Sequence, residues 1–124
     1  MATSTTIPLT AGNTYYGVFT SNDTGYVWDT SISAMAAPGS VTWAHAAVAL
    51  SALASPFTGL FTLATPALPA GQYTRTVYQQ AGGSPATSDI AVTVDTAYNW
   101  SGTAEVVPNR SVPVTVRNIN VTET

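Results

Sequence analysis

The chain has 124 residues, enough for one domain with its own core, and only 7% of them are charged where a soluble domain usually carries about 25%. Hydrophobic residues make up 45%, which excludes the low-hydrophobicity, high-charge regime of disorder, and six carboxylates against three arginines leave a net charge of −3 that cannot neutralise a phosphate backbone. Cysteine is absent, which excludes disulfides and thiolate chemistry, and no apolar run approaches the roughly 18 residues that suggest a membrane span, so neither nucleic acid nor a membrane is an expected partner.

The opening residues Met1, Ala2, Thr3 and Ser4 lack the basic and apolar parts of a secretory leader, so a cytoplasmic start is expected. In residues 5–10, Pro8 cannot donate to a ladder, which makes this run an edge strand; Ile7 and Leu9 are its candidate contacts with another subunit, within an N-terminal arm over residues 1–11. Turn signals then recur at short intervals: Gly12-Asn13, Asn22-Asp23-Thr24-Gly25, Pro38-Gly39-Ser40, Ser55-Pro56, Gly82-Gly83-Ser84-Pro85 and Pro108-Asn109. The runs between them are rich in Val, Thr, Tyr and Phe. That rhythm predicts an all-β fold, a single sandwich of immunoglobulin-like or jelly-roll type with extended terminal strands and a core spanning about residues 14–106.

Trp28 is a predicted core aromatic, and Asp23 and Asp29 flank a turn with too few oxygens for a calcium site. Residues 43–54 combine helix-favouring alanines with a strand-favouring start, Val41-Thr42-Trp43, and are read as mainly strand, with His45 a structural residue upon it. Phe57, Phe61 and Leu63 share one parity and point to the core. Over residues 89–100, Ile90, Val92, Val94, Tyr98 and Trp100 share the core face, while Asp89, Ala91, Thr93 and Asp95 share the other, placing both carboxylates on solvated strand positions. In the tail, Val112, Val114 and Val116 alternate with Pro113, Thr115 and Arg117; Ile119 and Val121 fall out of phase, which a bulge near Arg117-Asn118 would restore. Pro113 marks a second edge strand. These five aliphatic residues join Ile7 and Leu9 as the candidate protein interface.

Chemistry finds little support. His45 is the only histidine, no Gly-x-Ser-x-Gly elbow surrounds a serine, and scattered carboxylates do not make a zinc site, so no catalytic residue, metal or cofactor is expected. The nine Trp and Tyr residues could form a sugar-binding platform if several shared an exposed face. Core packing is the competing reading, and ring exposure separates the two. An exterior of Thr, Ser, Ala, Gly and Asn suits a protein largely covered by neighbouring chains, which points to an assembly component.

One segment carries a resemblance. Gly71-Gln72-Tyr73-Thr74-Arg75-Thr76-Val77-Tyr78-Gln79-Gln80-Ala81-Gly82-Gly83-Ser84-Pro85, followed by Tyr98-Asn99-Trp100-Ser101-Gly102-Thr103-Ala104-Glu105-Val106, resembles small β-rich virion structural proteins of tailed bacteriophages and prophages. Tyr15-Tyr16-Gly17-Val18-Phe19 and Gly25-Tyr26-Val27-Trp28 are similar too. The resemblance covers residues 14–106 and leaves residues 107–124 without a counterpart. It implies a non-enzymatic virion protein that decorates or cements a phage head, with the major capsid protein or other virion proteins as partners and with homo-oligomerisation. A tail, baseplate or head-fibre component is the alternative, and a carbohydrate- or receptor-binding module the second.

Overall fold

Short runs of alternating Val, Thr, Tyr and Phe, cut by turn residues, become nine strands in the computed structural model, which describes residues 4–106. They form two antiparallel sheets. The smaller takes β1 (Ser4–Pro8), β7 (Leu60–Ala64) and β6 (Ser51–Ala52) in the order β1-β7-β6. The larger orders β4 (Ala34–Ala36), β3 (Val27–Asp29), β2 (Thr14–Ser21), β8 (Gly71–Gln80) and β9 (Ile90–Trp100), with β5 (Val48–Ala49) also pairing with β2.

The core lies between the sheets. Tyr15, Phe19, Tyr73, Val77, Tyr98 and Trp100 descend from the larger sheet onto Ile7, Phe61 and Leu63 of the smaller, and Trp28 and Leu68 complete the cluster. The larger sheet packs tightly on the smaller at Gly17, where an added Cβ would stand 2.8 Å from Cδ2 of the fully buried Leu63. β2 is buried from Tyr15 through Phe19. Because successive side chains point to opposite faces, Tyr16 and Val18 build a second cluster on the outer face of the larger sheet, under Ala46 and Trp43 of the single helical turn α1 (Trp43–Ala46).

Four expectations are corrected. Residues 43–54 are not mainly strand: the alanines close one helical turn, with the Thr42 carbonyl accepting the N–H groups of His45 and Ala46, before β5 and β6 begin. Phe57 is 59% exposed, because consecutive turns (Phe57 N–H to Ala54 O, Leu60 N–H to Phe57 O) keep it outside β7 and break its parity with Phe61. Ile7 is not offered to another subunit: β1 pairs with β7, Ile7 lies opposite Phe61 in the core, and Leu9 packs half-buried against it. Finally, Ile90, Val92 and Val94 are not core residues; they are 72%, 40% and 56% exposed. From Tyr73↔Tyr98 to Arg75↔Asp95, β8 advances two residues and β9 three, and the extra residue inverts the alternation. Thr93 and Asp95 then take the inner side, and Val94 lies outward beside Thr76.

Candidate interaction surface

The outer face of the larger sheet carries a groove of about 320 Å³. Val18, Val27, Val41, Trp43 and Tyr78 supply its apolar lining; Thr20, Thr42, Thr76 and Thr87 supply hydroxyls, and among the described residues no charged side chain lines it. Trp43 and Tyr78 meet edge to face at 5.1 Å between ring centroids, and Tyr78 stacks on Tyr16.

Tyr16 anchors this floor. Its hydroxyl accepts the Trp43 indole N–H at 2.9 Å and donates to Asp89 Oδ2 at 2.7 Å. Asp89 also accepts the backbone N–H groups of Ala81 (3.1 Å) and Ala86 (2.9 Å), closing the turn between β8 and β9. Asp89 is thus a buried anchor just before β9, not a solvated strand position. The Tyr16 hydroxyl, then the Ala86 N–H, hold the Asp89 carboxyl below its usual value against the opposing effect of burial. Burial, reinforced by this carboxylate, pushes Tyr16 up to about 12.

Asp95, the other carboxylate of that segment, faces inward. It lies 3.5 Å from Arg75, whose guanidinium sits 4.3 Å from the centroid of the Tyr98 ring and donates to Thr5 Oγ1 of β1 at 2.7 Å, tying the two sheets together. Arg75 has the parity of Tyr73 and Val77 on β8, but a cation on a core face is legible only once its partners are known. Tyr98 also shares a short hydrogen bond with Thr65, and Trp100 donates to the Leu68 carbonyl at 3.1 Å.

The groove continues toward β9, since its Thr76 pairs with the exposed Val94. Among the described residues β9 is an edge strand of its sheet. After Trp100 the chain turns back (Ser101 N–H to Ala104 O), bridges Trp100 to Glu105, and donates from Val106 N–H to Asn99 O at 2.8 Å.

Among the nine Trp and Tyr rings, Trp28, Trp100, Tyr15, Tyr16, Tyr73 and Tyr98 are buried. Trp43 and Tyr78 are half-buried, and Tyr26 is exposed beside a separate recess that holds Asp23, Met35 and Tyr73. The rings of Trp43 and Tyr78 stand at 78° to one another, so they offer an edge-and-face corner and not a flat platform. His45 is exposed on α1 and its carbonyl receives Thr30 N–H. Asp29 lies close enough for the histidine's charge to help lower its carboxyl, but the principal cause is Ser31, whose hydroxyl donates to Asp29 at 2.6 Å. That serine hydroxyl donates its hydrogen bond to the carboxylate within a turn and, among the described hydrogen bonds, makes none to the imidazole, so the three do not form a nucleophile–base relay. Among the described residues no three His, Asp or Glu side chains gather as metal ligands.

Val112, Val114, Val116, Ile119 and Val121 lie outside the described residues. No family model, curated protein or solved structure matches the chain.

Proposed function

We propose that this chain is a non-enzymatic structural protein of a tailed-phage particle, which decorates or cements the head by burying uncharged surface against shell subunits. The observation that carries this reading is the groove on the outer face of the larger sheet, whose described lining is uncharged and whose floor Tyr16 and Asp89 anchor, and which continues to the exposed Val94 of β9. Contiguous apolar surface of this kind marks interaction sites. Weak contacts suffice in this role, because many repeated copies act together, and a nearly neutral exterior limits repulsion between crowded copies. A symmetric homo-oligomer on a shell axis fits the same requirement.

Quantitative mass spectrometry of purified particles tests it. A copy number equal to that of the major shell protein, or a simple fraction of it, is the expected result. A handful of copies per particle would reassign the chain to a tail, baseplate or head fibre. Absence from particles would overturn the virion reading.

A second reading is favoured by one feature, the Trp43–Tyr78 corner ringed by threonine hydroxyls, which suits a sugar ring as well as a protein side chain. Binding of the isolated protein to a glycan array, lost in Trp43→Ala, would support a carbohydrate-binding module.

A further inference from the structure

β9 is the longest described strand, with 11 residues, and on its outer side only Asn99 and Trp100 are paired among the described residues. Edges of this length are ordinarily blunted by charge, proline or a covering loop. Here Ile90, Val92 and Val94 are exposed and Asp95 is turned inward to Arg75.

The chain itself returns antiparallel along this edge at Val106, yet its ladder cannot simply continue. The rung after Asn99–Val106 would join Ala97 to residue 108. Pro108 has no N–H, and the Ala97 N–H is already donated to Asp95 Oδ1 at 3.0 Å. Both donors of that rung are missing, so the pairing seen at Asn99 and Val106 does not extend through it.

Residues 111–117 read Ser-Val-Pro-Val-Thr-Val-Arg. In an extended strand the N–H groups of residues 112, 114 and 116 point to one side and those of 113, 115 and 117 to the other. Pro113 removes a donor from the second side only, so this segment offers a full set of donors to a single neighbour, the pattern of a strand that adds to a sheet edge. Charge agrees: residues 4–106 hold Asp23, Asp29, Asp89, Asp95 and Glu105 against Arg75, whereas residues 107–124 carry Arg110 and Arg117 against Glu123.

We propose that residues 111–117 of one copy add as a strand to the outer edge of β9 in a second copy, joining copies edge to edge. The contact draws its purpose from the assembly reading. It is measured on the purified full-length chain without any particle: a failure here leaves the copy-number test untouched, and a failure there leaves this contact standing.

The test compares the wild-type chain with Val114→Pro, which removes a donor facing β9, and Thr115→Pro, which removes one facing away. Sedimentation equilibrium should show wild type and Thr115→Pro associating alike and Val114→Pro at least about tenfold more weakly, since one lost rung and the strain around it are worth more than about 1.4 kcal/mol. Hydrogen exchange over residues 90–96 should be slow in the associated forms and fast in Val114→Pro. A monomeric wild type overturns the proposal, whether or not β9 is protected within the single chain, as does equal weakening by both prolines or undiminished association of Val114→Pro.

Discussion

Asp89 shows how one side chain organises a whole corner of the molecule. Its two oxygens collect two backbone N–H groups of the β8–β9 turn and the Tyr16 hydroxyl, which in turn receives Trp43. Because its folded-state carboxyl sits below the usual value of 3.8, the carboxylate stabilises the fold above that pH, and the contribution is lost as pH falls through the folded-state value. Asp89→Asn should therefore lower the melting temperature at pH 7, and the gap from wild type should close below about pH 4; thermal melts from pH 7 to pH 2 check it. Tyr16, raised to about 12, acts at the other end: its contribution is present below about pH 10 and fades as pH climbs toward 12. Gly17 makes a different kind of point. An added methyl would press on a Leu63 that has no exposed surface to yield into, so Gly17→Ala should cost about 1–3 kcal/mol in urea unfolding.

At the scale of elements, the period-2 rule holds on β2 and β8, where Tyr15, Phe19, Tyr73 and Val77 share one face because the two strands pair without interruption from Ser21↔Tyr73 to Thr14↔Gln80. It failed on β9 for a reason internal to the rule. One extra residue between Asp95 and Tyr98 reverses the alternation as far as Thr93, a second between Thr93 and Ala91 reverses it again, and nothing in the local composition marks either. Phe57 and Val94 were read as core from parity alone and are exposed. Phe57→Ser and Val94→Thr should each change unfolding free energy by no more than about 0.5 kcal/mol, as surface substitutions do, which chemical denaturation measures directly. The helical turn α1 was missed because its four residues are too few to show a helical period.

For the whole molecule, the division of labour lies between a described body, residues 4–106, and the segment that follows. The body holds both sheets and the core cluster between them. Removing residues 112–124 should leave a protein with an unchanged far-ultraviolet dichroism spectrum that no longer joins its assembly; co-sedimentation of the truncated chain with particles checks this, and full retention would place the particle contact on the groove face instead.

What the sequence determined by itself was everything set by local chemistry. The rhythm of turn residues and β-formers produced the all-β class, and the scarcity of charge produced the neutral exterior, because both are sums over residues that need no partners. Only the tertiary structure decided which faces of β9 are inside, that Arg75 and Asp89 are buried, and that a groove opens beside Trp43 and Tyr78. Each of those depends on what lies across a sheet or between sheets. A bulge, a cation over the ring of Tyr98 or a carboxylate capped by distant N–H groups exists only when residues far apart in sequence are brought together.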